Sequence, residues 1–216
     1  MAKTTKVQGT KFRIGIGREA QKAITAITLA TATLTIATSG YKKGDAIEIT
    51  GCGQLDGIYP VLSVTGDQVK LCEEVNWTGK DLPANYTKAK AALVQYSDQF
   101  CAVKNIEKSD DTLSTEDVTT VCSEGTETEP GEIEFGSIKL SFFHKPSTEM
   151  QTRLRKLFYD KSTFAYKLEL PELPDNHGTT YGEGFIEAGN GFSGEVKGKY
   201  EGSVSIKPSK RDYLLV

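Results

Sequence analysis

Short runs of alternating polar and apolar residues, separated by glycine-containing turns, constrain this chain more than any other feature. The ranges 46–50, 138–142 and 164–170 each place apolar side chains at every second position. A period of two is that of a β-strand with one buried face. With 21 glycines to supply turns, the sequence predicts a mainly β fold built from antiparallel sheet.

Turns are densest between residues 26 and 84. The dipeptides Asp56-Gly57 and Gly66-Asp67 separate strand-like runs that are only about ten residues apart. Closely spaced strands with such turns are typical of a small barrel or sandwich. We expect 26–84 to form a small β-rich module, inserted in a discontinuous core domain made of 1–25 and 85–216.

One α-helix is predicted, after Pro146. Thr148 and Gln151 have the spacing of a capping box, in which the two side chains satisfy free backbone amides at a helix start. Four apolar residues with helical spacing would form its buried stripe: Met150, Leu154, Leu157 and Phe158. The spacing predicts a helix that covers a core.

Strands in the second half of the chain are expected to keep one face in water. The range 195–207 alternates throughout, which predicts one long strand with Val196 and Tyr200 on its buried face. An antiparallel sheet with the helix on its dry face is the natural packing. The charged residues of the candidate wet face are Lys139, Lys167, Glu169, Glu195, Lys197, Lys199 and Glu201.

The charge of the chain is unevenly distributed, although the net charge is only −3. Residues 107–134 contain ten carboxylates against Lys108 alone, whereas the blocks before and after are net positive, by four and two charges. Two mildly basic blocks joined by one acidic stretch argue against a general nucleic-acid-binding protein, which would show a basic face. Because this acidic segment has little apolar content, we expect a long loop, and loops of this length are usually functional.

We interpret the acidic loop as a contact surface between subunits. Its composition cannot build a core by itself, and its sparse apolar residues are spaced to anchor on a neighbouring molecule. The candidate interface residues are Asp110, Asp111, Leu113, Glu116, Asp117, Val118, Val121, Glu127 and Glu129. A solvated linker is the alternative interpretation.

The sequence contains no convincing catalytic or metal-binding motif. The four cysteines are widely spaced, which argues against zinc and favours reduced thiols, with Cys52 and Cys72 as the candidates if any pair bridges. The tetrapeptide 175–178, which contains His177, has the composition of an ordinary turn. We therefore expect no enzyme, no metal and no cofactor, and neither a membrane span nor a secretory signal.

The order of several segments resembles the tail tube, or major tail, proteins of long-tailed bacteriophages. The segments are VQGTKFRIG, then FCAVKNIEKSDDTLSTEDVTT, then GSIKLSFFHKPSTEMQTRLRKLFYDKSTFAYKLELP, and finally YGEGFIEAGNGFSGEVKGKYEGSVSIKPS. The resemblance covers roughly residues 1–20 and 95–212. It leaves out about residues 21–94, a β-rich segment that looks inserted between the first and second strands.

This resemblance implies two packed antiparallel β-sheets flanked by one α-helix. It further implies hexameric rings that stack into a tube, assembled in the host cytoplasm and located in the virion. The implied partners are other copies of the chain, tape-measure, tail-tip and tail-terminator proteins, and double-stranded DNA that passes without sequence-specific binding.

Two other functions fit parts of the sequence. A β-sandwich module for carbohydrate or a host surface could use Trp77, Tyr59 and Tyr86 as stacking aromatics, although a lone tryptophan is more easily a core residue. An enzyme would depend on His177 and nearby carboxylates alone.

Overall fold

The computed structural model describes residues 9–82, 88–120, 122, 124–170 and 178–215. Within these ranges the chain forms a 15-stranded antiparallel sheet, a two-stranded sheet and one α-helix. This confirms the predicted class, a mainly β chain with antiparallel sheet and a single helix.

The described residues contain 17 strands and one α-helix. The first strands are β1 (Lys11–Arg18), β2 (Lys22–Ala23), β3 (Ala26–Thr28), β4 (Thr33–Thr35), β5 (Ala46–Thr50), β6 (Gly57–Thr65), β7 (Gln68–Leu71), β8 (Lys90–Tyr96) and β9 (Val103–Lys108). The remaining elements are β10 (Thr112–Asp117), β11 (Thr128–Glu134), β12 (Ile138–Phe143), α1 (Glu149–Tyr159), β13 (Phe164–Glu169), β14 (Thr179–Ala188), β15 (Phe192–Ser193), β16 (Glu201–Pro208) and β17 (Tyr213–Leu215).

Backbone contacts divide the chain into two compact units. Unit 1 contains Met1–Cys101, Phe164–Glu183 and Asp212–Val216, and unit 2 contains Ala102–Thr163 and Gly184–Arg211. In unit 1 the strand order is β3-β4-β7-β6-β5-β8-β1-β13-β14, with β2 beside β8 and β17 beside β14. In unit 2 the order is β14-β16-β12-β9, with β15 beside β16.

The core of unit 1 is built around aromatic side chains. Trp77 is 1% exposed, and its ring meets that of Tyr59 edge-on with centroids 5.4 Å apart. Tyr59 in turn contacts Tyr213 at 5.3 Å between ring centroids. Burial of Trp77 agrees with the interpretation of the lone tryptophan as a core residue. Because Trp77 and Tyr59 are buried, they are not available as stacking aromatics for the alternative carbohydrate-binding function, and Tyr86 lies outside the described residues.

Residues 26–84 share the core of unit 1 with neighbouring strands. Strand β5 pairs with β8, with Ile47 opposite Leu93, and the Tyr41 hydroxyl donates a hydrogen bond to the Ala91 carbonyl oxygen at 3.2 Å. Glu48 accepts two hydrogen bonds from the Arg18 guanidinium, at 2.8 and 3.1 Å. Contacts thus place the segment within unit 1, and its treatment as an insert in a domain of 1–25 and 85–216 stays a prediction.

The sheet of unit 2 has one apolar and one polar face, as the alternation predicts. Ile138, Leu140 and Phe142 of β12 are buried, whereas Lys139 is exposed and Ser141 is half-buried. Ile138 lies opposite Ile206 and Leu140 opposite Val204 on β16, so the apolar rows are in register. Burial of these rows in register leaves the intervening polar rows in water.

Helix α1 begins where the sequence predicts, but its first turn differs from a capping box. Thr148 is the N-cap residue, yet its side chain makes no capping hydrogen bond; its hydroxyl donates to the Lys145 carbonyl oxygen at 2.9 Å. Gln151 is buried and bonds to the chain before the helix instead. The spacing located the helix correctly and misassigned the side-chain partners.

The predicted long strand over 195–207 is wrong in its first half. Residues 194–200 connect the short strand β15 to β16, and the Gly198 amide donates to the Glu195 carbonyl oxygen at 2.9 Å to close a turn. Val196 is fully exposed and Tyr200 is largely exposed, so neither faces a core. Polar and apolar residues alternate through this segment, and this pattern predicts a strand. The glycines at 194 and 198 instead allow a turn, which alternation alone does not show.

Candidate functional site

The acidic segment folds as a two-stranded hairpin, so the expectation of a long loop is wrong. Strands β10 and β11 are antiparallel, and in the described part of the chain they pair only with each other. Every residue of β10 is exposed, and so is nearly all of β11. With no buried face, this hairpin has no alternation by which the sequence could show it.

The base of the hairpin is held by short polar contacts. The Ser109 amide donates to the Ser137 carbonyl oxygen at 2.9 Å, and the Ser137 amide donates to the Ser109 hydroxyl at 2.7 Å. The Gly136 amide donates to Asp111 Oδ1 at 2.8 Å. A Cβ atom at position 136 would collide with the Ser109 carbonyl group, so glycine permits this close approach.

Further contacts hold the two ends of the hairpin. Near the base, Lys207 Nζ lies 3.1 Å from Glu134 Oε1, an ion pair to β16 of the sheet. Beyond Asp117, the Val118 amide donates to the Glu127 carbonyl oxygen at 3.0 Å. Hydrogen bonds from the Thr119 hydroxyl and amide lower the pKa of the Asp117 carboxyl, which therefore stays ionised here.

The hairpin carries a concentrated negative charge. Residues 109–138 contain nine carboxylates and no lysine or arginine. Glu116 lies directly opposite Glu129 across the two strands, and like charges at such positions destabilise a strand pair. A cationic surface laid against the hairpin would relieve this repulsion.

Two apolar side chains interrupt the acidic surface at one point. Leu113 lies opposite Ile133, and these side chains are 54% and 59% exposed. These two residues form an exposed apolar pair across strands that otherwise carry mostly charged and polar side chains. Of the other predicted interface residues, Asp110, Glu127 and Asp111 are exposed, Val118 is half-buried, and Val121 lies outside the described residues.

The predicted wet-face residues fall into three groups. Lys167 and Glu169 of β13 lie in unit 1, 3.1 Å apart, and Glu169 also accepts from Arg13 Nε at 3.2 Å. Lys139 and Glu201 lie on the polar face of the unit 2 sheet. Three residues expected on a strand instead lie exposed in the 194–200 connection: Glu195, Lys197 and Lys199.

Carboxylates accompany the lysines of the unit 2 polar face. Lys139 lies opposite Glu107 of β9, and Lys104 forms an ion pair with Glu201. Lys104 and Lys199 each also lie 5.0 Å from the centre of the Phe143 ring. The polar face therefore presents mixed charge rather than a basic patch.

The predicted helix stripe is buried at one position. Leu154 is buried, whereas Met150, Leu157 and Phe158 are half-buried. Leu154 and Phe158 line a cavity of about 300 Å³ together with Phe142, Ile186 and Val204 from the apolar side of the sheet. The sequence did not predict this cavity, because a stripe of apolar residues does not reveal how completely the opposite face fills.

The structure describes one of the two histidines of the chain, His144. His144 stacks on Phe192 with ring centroids 4.7 Å apart, while Asp175 and His177 lie outside the described residues. Among the described residues, no three His, Cys, Asp or Glu side chains lie together as a metal site would require. Cys52 and Cys72 are free and buried, and burial raises the pKa of the Cys52 thiol to about 11.

The α-helix of the described residues, α1, is 11 residues long. In the part of the chain that the structure covers, no helix combines the length and apolar character needed to cross a bilayer.

Comparison with known proteins finds similar solved structures. One is described as the tail of an empty gene transfer agent particle with C6 symmetry; it has a TM-score of 0.45 at 17% identity and covers 56% of this chain and 87% of that chain. The virion of a native gene transfer agent particle gives a TM-score of 0.45 at 18% identity, with coverage of 55% and 88%.

A third similar structure is the SPP1 tail tube, with a TM-score of 0.38 at 14% identity and coverage of 66% and 73%. No protein-family model matches the chain, and no curated protein matches it.

Proposed function

We propose that this chain is a structural virion protein that polymerises into a bacteriophage tail tube. In this proposal, copies form hexameric rings, and the rings stack into the conduit through which viral DNA leaves the particle. The order of the sequence segments that resemble tail tube proteins supports this role. The observation that carries self-assembly is the acidic hairpin β10–β11, whose strands and apolar pair remain uncovered in a single chain.

An isolated two-stranded hairpin is at best marginally stable in water, so an uncovered one favours a partner. Its nine carboxylates require a surface of opposite sign, and the sequence blocks on either side of it are net positive. A second copy of the chain supplies such a surface. Contact between the hairpin and a different surface of the next copy is head-to-tail, and such a contact generates a filament when the rotation between copies does not close a ring.

The polar sheet face suits the wall of a DNA conduit. Each lysine that neutralises a phosphate adds affinity, so a wall that lets DNA slide needs its cations balanced. On the unit 2 face, Lys104 and Lys139 lie beside Glu201 and Glu107. In unit 1, Lys167 lies beside Glu169 on β13. Mixed charge of this kind supports passage of double-stranded DNA without sequence-specific binding.

The remaining partners follow from the proposed role. A tube of this kind is located in the virion, is assembled in the host cytoplasm, and meets tape-measure, tail-tip and tail-terminator proteins. We propose no enzymatic activity.

Electron microscopy of the purified full chain tests the proposal. We expect rings or tubes with six-fold symmetry at high protein concentration. The double variant Glu116→Lys/Glu129→Lys should reduce tube formation, because it reverses charge on the hairpin. The matched control is Glu187→Lys/Glu195→Lys, which changes the same number of exposed carboxylates elsewhere. A chain that remains monomeric at all concentrations, alone and with tail partners, would contradict the proposal.

A further inference from the structure

The cavity beside α1 has the composition of a receptor for apolar side chains. Its inner surface is formed by Phe142, Leu154, Phe158, Ile186 and Val204. At about 300 Å³ it lies at the small end of the range of binding pockets, about 300–1,000 Å³. An apolar side chain that enters a cavity lined in this way is removed from water, which is favourable.

The edge of the cavity is cationic. Arg155 is among the described residues that line it, and these include no aspartate or glutamate. Lys156 follows Arg155 in the sequence, Lys145 follows the lining residue His144, and both lysines are exposed. The cavity therefore suits an apolar group that is surrounded by negative charge.

The pair Leu113–Ile133 has this composition. Within two positions of the pair lie Asp111, Glu132 and Glu134, and no cation lies between Lys108 and Lys139. Both apolar side chains are more than half exposed in the single chain, so they do not fill the cavity of their own copy.

We propose that the Leu113–Ile133 pair of one copy inserts into the α1 cavity of the next copy. This inference rests on the proposed self-assembly and names its receptor surface. Burial of the pair supplies the attraction, and the carboxylates around it meet the Arg155 edge and select the orientation. Because hairpin and cavity are different surfaces of one molecule, each copy can bind one neighbour with each.

Assembly of surface variants provides the first test. Leu113→Ser/Ile133→Ser should raise the protein concentration needed for assembly at least tenfold, whereas Val196→Ser, which removes another exposed apolar side chain, should leave it unchanged. Arg155→Glu should also raise it, and adding Glu132→Arg should restore part of the loss. Circular dichroism confirms that each variant folds.

Site-specific cross-linking provides the second test. In a background with both exposed cysteines replaced, Cys101→Ser/Cys122→Ser, a copy with Leu113→Cys is mixed with a copy with Arg155→Cys and treated with a short bismaleimide. We expect a cross-linked dimer of the two copies. A copy with Ser63→Cys, an exposed position in unit 1, should give little product with the same partner.

The outcomes separate this inference from the proposed function. If the unmodified chain forms tubes but Leu113→Ser/Ile133→Ser assembles normally and no 113–155 product forms, the cavity is not the receptor and the tube proposal stands. If the unmodified chain never assembles, both fail. Assembly that depends on the pair, with the 113–155 product, supports both.

Discussion

Gln151 connects the start of helix α1 to the end of strand β12 through the backbone of Phe143. Its Nε2 atom donates a hydrogen bond to the Phe143 carbonyl oxygen at 2.8 Å, and its Oε1 atom accepts one from the Lys145 amide at 2.8 Å. The side chain is buried, so neither backbone group has water as an easy substitute. One polar residue thus fixes the entry of the chain into the helix.

Replacement of this residue should destabilise the chain. Gln151→Leu keeps the size of the side chain but leaves two backbone groups without their partner, so we expect the free energy of unfolding to fall by about 1–3 kcal/mol. Urea denaturation followed by circular dichroism measures the change. Thr148→Ala serves as the control, since its hydroxyl does not cap the helix, and it should cost less than about 1 kcal/mol. Equal losses of unfolding free energy in the two variants would instead indicate that Thr148 and Gln151 form a capping box.

Gly182 should not tolerate a methyl group. A Cβ atom at this position would collide with the phenol ring of Tyr166, which is fully buried and donates a hydrogen bond to Asp212 at 3.3 Å. Gly182→Ala should lower the free energy of unfolding by about 1–3 kcal/mol through overpacking. At Gly125 a Cβ atom meets open space, so Gly125→Ala should change stability by less than about 0.5 kcal/mol. A neutral Gly182→Ala would show that Tyr166 has room to move.

Asp45 should make the stability of the chain depend on acid pH. Burial raises the pKa of this carboxyl above its ordinary value of 3.8, although the Lys42 amide bonds to it at 2.7 Å. The folded state therefore holds this proton more tightly than the unfolded state does. The contribution to stability is present below the unfolded pKa and is lost as the pH rises through the folded pKa.

Asp45→Asn should remove this component, because the amide oxygen still accepts from Lys42 but does not titrate in this range. As the pH rises from 3 to 7, the unfolding free energy of the unmodified chain should fall relative to that of Asp45→Asn. Urea titrations at each pH measure the difference. Asp67→Asn is the control, an exposed carboxylate that also accepts a backbone hydrogen bond, from Thr38. A parallel pH dependence for the unmodified chain and Asp45→Asn would contradict the assignment.

Hydrogen exchange should differ between the free and assembled hairpin. In monomers the amides of β10 and β11 should exchange fast, because two exposed strands open without disrupting a core. In tubes they should exchange at least tenfold more slowly. Strand β12, paired on both sides by β9 and β16, provides an internal reference that stays protected in both states. Slow exchange of the hairpin in monomers would show that the single chain stabilises it without a neighbour.

The predictability of the fold varies with how much of each element is buried. Strand β5 has the bounds that alternation predicts, and β12 nearly so, because each buries one face. The hairpin β10–β11 buries neither face, so its sequence shows only charge. Its strands depend on pairing with each other and on the contacts of Ser109 and Gly136 at its base.

Local patterns also misplace residues when a turn interrupts a regular pattern. Alternation from Glu195 onward predicts that Val196 is buried. The turn at Gly198 instead leaves the Val196 side chain in water. Helical spacing locates α1, but of the four residues in its apolar stripe only Leu154 is buried. Periodicity along one element carries no information on the element opposite.

The sequence by itself determined the class of the fold, the position of the helix and the acidic character of one segment, since burial of one face and charge are both local properties. Only the tertiary structure decided which strands pair, that the acidic segment is an uncovered hairpin, and that α1 leaves a cavity beside the sheet. These depend on partners far apart in the chain, such as Arg13 with Glu169 or Leu154 with Val204. Local periodicity constrains which face of an element is buried, and three-dimensional packing decides what lies against it.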